Sequence, residues 1–173
     1  MDQEEKMILD DVKTADLFGI PPTAWWTRQI CRILDARTFH WGMMISSDDK
    51  GWVITESIGK GVALTRFTYK KAYIYRIKDI GEVSWKRLIS IVADYGDAPY
   101  DFTVGFRTAI WWLLKHYFGK VIPVIHDKAL NCQELVILLG VELGVKIIPE
   151  DEFPMCRNLE QSQFLELLGE VTQ

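Results

Sequence analysis

Leu130-Asn131-Cys132-Gln133-Glu134-Leu135-Val136 is the stretch on which the reading of this chain turns. Apolar residues at Leu135, Val136, Leu138, Leu139 and Leu143 follow at helical spacing and predict one buried face. Asn131 is a favoured N-cap type, and Glu134 three residues later completes a capping-box pattern. Gly144 supplies a stop, and Pro149 forbids much continuation. Cys132 therefore falls at the first helical position. There the free backbone N–H groups and the positive end of the helix dipole favour a thiolate. The N–H of Cys132, with Gln133 beside it, is also placed to hold an oxyanion formed by attack on a carbonyl.

Around this stretch the composition is that of a globular protein. The 173 residues are 49% hydrophobic and 25% charged, enough for one domain over residues 1–173 with a full core. Residues 1–11 read as a loosely docked start. A net charge of −4 argues against nucleic acid or an anionic membrane as the main partner. The basic pairs Lys70-Lys71 and Lys86-Arg87 read as solvated surface. Cys31, Cys132 and Cys156 are odd in number and widely spaced, with no metal-ligand spacing, so a reducing compartment is the simplest expectation. The polar, acidic start (Met1-Asp2-Gln3-Glu4-Glu5-Lys6) is unlike a secretory leader, and a cytoplasmic location is expected. No apolar run reaches the roughly 18 residues that span a bilayer, so no integral membrane segment is expected. Ile110 to Leu114 reads as part of a core helix.

Taken in order, Lys13 to Ile20 predicts a strand running into the Pro21-Pro22 turn. Thr23 to Leu34 predicts a helix with Trp26, Ile30, Ile33 and Leu34 on one face. Phe39–Ser46 and Gly51–Ser57 form a hairpin around Ser47-Asp48-Asp49-Lys50, and Ala72–Lys78 is a third strand. Ser84 caps a helix to Tyr95. A loop with Tyr100-Asp101 follows, then a helix over Val104–Phe118 and an ambiguous segment over Val121–Asp127. The tail carries a short Leu-rich helix, Leu159 to Leu168. Strands followed by helices predict an α+β fold, a small antiparallel sheet from residues 14–78 packed against helices. Trp26, Trp85, Trp111 and Trp112 are expected in the core. Trp41 is the tryptophan placed to line a cleft.

A cysteine nucleophile works with a histidine base that a third polar group orients. Of three histidines, His116 at a helix end has a sufficient electrostatic role, and His126 lies in a loop before the cysteine. His40 starts a strand, and Gly42 beside it permits close approach of a backbone or ligand. If the hairpin closes, Glu56 lies across from His40, and a slip of one residue would substitute Thr55 or Ser57. A zinc site from His40, His126 and Cys132 lacks motif spacing, and neither a metal nor another cofactor is expected.

Four motifs in order carry a family resemblance: Lys13-Thr14-Ala15-Asp16-Leu17-Phe18, Phe39-His40-Trp41-Gly42-Met43, Ile54-Thr55-Glu56-Ser57-Ile58-Gly59-Lys60-Gly61-Val62 and Asn131-Cys132-Gln133-Glu134-Leu135-Val136. Over roughly residues 13–155 the chain resembles the circularly permuted papain-like branch of the NlpC superfamily, YiiX-like and YaeF-like members above all. The resemblance implies a permuted NlpC-type papain-like fold. It also implies Cys132 as nucleophile, His40 as base and Glu56 as the orienting acid. Tyr100-Asp101 resembles a pair found upstream of the cysteine. Ala15 stands where a glycine is usual, a departure expected to be harmless. Asn131 and Gln133 replace the usual Tyr and Ser. Asn131-Cys132 and His40-Trp41 are also similar to the lecithin:retinol acyltransferase-like branch.

The implied activity is acyl transfer, that of a cysteine peptidase or amidase acting on a peptide or peptidoglycan-like amide through a Cys132 thioester. Asn131, Gln133, Tyr100 and Trp41 would position the substrate or its oxyanion. A lipid acyl hydrolase or acyltransferase with the same Cys-His pair, and a catalytically silent binding or structural domain, are the alternatives.

Overall fold

Alternation of apolar residues on successive segments builds a sheet that is buried on both faces. The computed structural model describes residues 9–101, 129–149 and 152–172. In chain order the elements are β1 (Leu17–Ile20), α1 (Trp25–Leu34), β2 (His40–Asp48), β3 (Gly51–Ile58), β4 (Gly61–Arg66), β5 (Lys71–Ile77), α2 (Trp85–Asp94), α3 (Cys132–Glu142), α4 (Cys156–Glu160) and β6 (Leu165–Thr172). The strands form one six-stranded antiparallel sheet in the order β4-β3-β2-β1-β5-β6, which makes the fold α+β. On one face Leu17, Trp41, Met43, Ile45, Tyr75 and Ile77 pack against Leu88 and Val92 of α2 and Leu135, Val136 and Leu139 of α3. On the other, Phe18, Ile20, Met44, Ile54, Phe67, Ile74 and Val171 form a second cluster. No helix among the described residues is long and apolar enough to cross a membrane.

Three expectations change. The sheet is larger than residues 14–78: β4 follows β3 through the Gly59-Lys60 turn, with Gly61 at φ +110°. The Leu-rich tail is a helix only over Cys156–Glu160, and its remainder is β6, paired with β5. A bulge explains why that strand looked helical. Gly169 pairs with Ile74 and Leu167 with Tyr75, so Leu168 is an extra residue that breaks the period of two. Third, α1 is turned the other way from its expected orientation. It buries Thr27 and Cys31 and leaves Trp25, Trp26, Ile30 and Ile33 exposed. The close return through Ala36 and Thr38 favours small residues inward: Ala36 N–H donates to the Cys31 carbonyl at 2.9 Å, and the Cys31 thiol donates to the Thr38 carbonyl at 3.3 Å. Trp85 is likewise half exposed, with Lys86 over its ring. The helix expected over Val104–Phe118, with Trp111, Trp112 and His116, lies outside the described residues, as do the segment over Val121–Asp127 with His126 and residues 1–8 of the expected loose start.

β1 is anchored at its entry by a buried carboxylate. Asp16 accepts both Nε and Nη2 of Arg76, at 2.9 and 2.7 Å, and the Lys13 N–H at 2.8 Å. Just before it, Ala15 sits at φ +71°, a left-handed conformation that costs a non-glycine residue roughly 1–2 kcal/mol. Its methyl is buried in the core, which returns roughly 0.8 kcal/mol and offsets part of that strain.

Candidate active site

The first turn of α3 is built as its sequence pattern predicts. Asn131 Oδ1 accepts the N–H of Gln133 at 2.8 Å and of Glu134 at 2.9 Å, and Glu134 Oε2 accepts the Asn131 N–H at 3.1 Å. This cap has a consequence for the expected oxyanion site. The Gln133 N–H is already engaged, so of the two main-chain donors anticipated there only that of Cys132 is left by the cap. Asn131 itself is fully buried, and its Nδ2 has no hydrogen-bond partner among the described residues. The residue before it is pinned from two sides. Leu130 N–H donates to the Pro99 carbonyl at 2.9 Å, and the Leu130 carbonyl accepts the Ser57 hydroxyl at 2.6 Å and the Asp101 N–H at 3.3 Å.

Strand register brings the imidazole and carboxylate together. Glu56 pairs with Gly42, so His40, two residues earlier on β2, is its diagonal neighbour. His40 Nε2 lies 2.7 Å from Glu56 Oε2. Thr55 and Ser57 are directed elsewhere: Thr55 is buried with its hydroxyl unpartnered, and Ser57 holds Leu130. The gap left by Gly42 is filled from within the protein, since a Cβ there would strike the Phe18 ring and come within 2.6 Å of the Thr55 carbonyl oxygen.

Two residues not anticipated from sequence complete the carboxylate's surroundings. Thr65 Oγ1 donates to Glu56 Oε1 at 2.8 Å, and the Tyr69 hydroxyl donates to Oε2. Thr65 lies two residues beyond Ala63, the partner of Glu56 on β4, so recognising β4 would have found it. Tyr69, in the β4–β5 connection, left no such trace.

The charges respond to this arrangement. Burial disfavours imidazolium, but hydrogen bonds to Cys132 and then Glu56, with their negative charge, outweigh it and raise His40 to about 10. Burial alone would raise Glu56, yet the hydrogen bonds from His40 and Tyr69 hold it below the usual carboxylate range. With Nε2 committed to Glu56, Nδ1 is the ring nitrogen left for the sulfur.

Around the sulfur, the Cys132 thiol donates to Gln133 Oε1 at 3.3 Å, and Gln133 Nε2 donates to Cys156 Sγ at 2.8 Å, so one amide spans two cysteines. Burial, then the charge of Cys132, push the Tyr100 phenol up to about 12. Trp41 is not there. It is wholly buried, with Nε1 donating to Thr38 Oγ1 at 2.8 Å and its ring 4.9 Å from that of Tyr75, so it supports the core and lines no cleft. Among the described residues no group of three or more His, Cys, Asp or Glu side chains is suited to hold a metal ion.

No protein family matches the chain. No curated protein matches it either. Among solved structures, the chain is similar to the one described as metalloprotein yiiX from Escherichia coli O157:H7, DUF1105, at 16% identity and a TM-score of 0.61. The likeness covers 89% of this chain and 94% of that one. At that identity the likeness is one of fold. The α+β architecture therefore has a YiiX-like neighbour, in keeping with the YiiX-like part of the sequence resemblance.

Proposed function

We propose that this protein is a thiol hydrolase of the permuted papain-like, NlpC-type kind, cleaving an amide bond of a peptide or peptidoglycan-like substrate. The observation that carries the reading is the line Glu56–His40–Cys132, with the carboxylate clamped by three donors and the sulfur at a capped helix start. Imidazolium at His40 stabilises a thiolate at Cys132, which attacks the carbonyl carbon. The Cys132 N–H, which the cap leaves free of Asn131, receives the oxyanion. His40 gives its proton to the leaving amine, then takes one from the water that hydrolyses the thioester. Gln133 suits this chemistry if its amide is reversed, since O and N are interchangeable by a flip. Its N–H2 then faces the thiolate, and the Cys156 thiol donates to its oxygen.

The neighbour's description as a metalloprotein does not transfer easily to this site. His40 Nε2 is already taken by Glu56 at 2.7 Å, and among the described residues no group of three or more His, Cys, Asp or Glu side chains is placed to hold a metal ion. These residues do not fit a resident metal.

The test is mass spectrometry of Cys132 after exposure to peptide, peptidoglycan-fragment and phospholipid substrates. An acyl adduct on Cys132 from an amide substrate, absent in His40→Gln, supports the reading. An adduct from phospholipid alone assigns lipid acyl chemistry instead. No adduct, together with Cys132 alkylating no faster than Cys31, leaves a silent domain.

A further inference from the structure

We propose that the outer face of α1 is a docking surface for an anionic lipid bilayer. The helix is amphipathic in the unusual sense. Its inward residues are the small Thr27 and Cys31, while Trp25 and Ile33 are about three-quarters exposed (75% and 74%), and Trp26 and Ile30 are also open. At helical spacing Trp26, Ile30 and Ile33 share a face, with Trp25 at its margin. α2 has the same length and the ordinary arrangement, with Leu88 and Val92 buried and only Trp85 exposed among its large apolar residues.

Charge selects the occupant. Arg28 and Arg32 flank the apolar stripe, both exposed and in no ion pair among the described residues, and α1 contains no acidic residue. Tryptophan and isoleucine on one side with arginine on the other is the composition of a helix that lies in a headgroup interface. The chain's net charge of −4 conceals this because the basic surface is local. A protein partner fits less well. At roughly 150–250 Å² for each aromatic side chain, the exposed parts of Trp25 (75%) and Trp26 (55%) offer roughly 200–325 Å², and the two smaller, partly exposed isoleucines leave the patch short of the roughly 800 Å² that one partner of a standard interface contributes.

The face is also continuous with the candidate site. Trp26 meets Phe39 edge-on, with ring centroids 5.4 Å apart, and Phe39 is the residue before His40. Docking through α1 would hold that end of β2 at the lipid surface. The proposal concerns binding and stands whether or not Cys132 is catalytic.

The experiment is co-sedimentation of the full chain with phosphatidylcholine vesicles, with and without phosphatidylserine, alongside tryptophan emission. The expected result is binding that requires phosphatidylserine, weakens in high salt and shifts emission to the blue. Trp25→Ala with Ile33→Ala should reduce binding at least about tenfold. Arg28→Gln and Arg32→Gln should each reduce it about fivefold. Circular dichroism should be unchanged in every case, as the substituted side chains are exposed. Cys132→Ala should bind as the wild type does, which keeps this test separate from that of the activity. Absence of vesicle binding, or binding indifferent to these substitutions, overturns the proposal. So does a dimer, seen by sedimentation velocity, that the same substitutions dissolve, since that gives the face to a second copy of the chain.

Discussion

Cys31 and Cys132 are both buried, both helical and both hydrogen-bonded, yet their surroundings oppose one another. Cys31 lies in the last turn of α1, where the dipole is negative, and it donates to a carbonyl. Burial and then the charge of Glu160 push its thiol up to about 11. Cys132 lies in the first turn of α3, with an imidazole raised to about 10 beside it. Cys156 is the instructive intermediate. It also opens a helix, but burial and the charge of Cys132 push its thiol well above the ordinary range. A helix start therefore does not by itself lower a thiol, and the imidazole beside Cys132 is what sets its surroundings apart from those of Cys156.

The sharpest way to break this comparison is to remove each sulfur in turn. Cys132→Ala should abolish turnover, whereas Cys31→Ala and Cys156→Ala should change kcat/KM by no more than about fivefold, the scale of roughly one kcal/mol of repacking. Rates against a cleaved amide substrate check this, and equal losses at Cys31 would end the distinction. His40→Gln should follow, with a loss on the order of 10²–10⁴-fold in kcat and far-UV circular dichroism unchanged. Next comes the clamp on Glu56. Glu56→Gln removes a charged hydrogen bond to the imidazole, for a loss of about 10–100-fold, and Tyr69→Phe, which leaves Thr65 and His40 in place, should cost less.

The same contrast has a pH signature. His40 is raised on folding, so its contribution to stability is full below the ordinary histidine value of 6.5 and is lost as pH climbs towards about 10. Thermal melts of wild type and His40→Gln should be furthest apart just below pH 6.5 and converge by about pH 10. Glu56 is lowered, so its contribution is present above its ordinary value and lost as acid titrates it. A melting gap that widens with alkali would contradict the assignment. The smallest effect is expected at Ala15→Gly. Relief of roughly 1–2 kcal/mol of strain is opposed by the lost methyl and by greater chain entropy in the unfolded state, leaving the melts within about 0.5 kcal/mol.

Much of this arrangement was legible before any coordinates. The capping box at Asn131-x-x-Glu134, the β2–β3 hairpin and the α+β class follow from local rules, because each depends on residues a few positions apart. Glu56 could be narrowed only to three neighbours, since register is a long-range property and one slip changes the face. β6 was missed because a bulge disguises its alternation. α1 misled for a deeper reason. Hydrophobic periodicity identifies the apolar face of a helix, but says nothing about whether that face meets the core or something outside the chain. Trp41 failed likewise, as adjacency to His40 along a strand sends its side chain to the opposite face of the sheet. Tyr69 lies in an irregular connection, where no period exists to be read.

The clasp at Leu130 reaches further than its few hydrogen bonds suggest. Chain leaving at Asp101 and chain arriving at Leu130 are fastened to each other, and Ser57 rivets that junction to the strand carrying Glu56. The start of α3, and with it the Cys132 sulfur, is thereby tied to the strand that carries Glu56 by fastenings that all lie at this one junction.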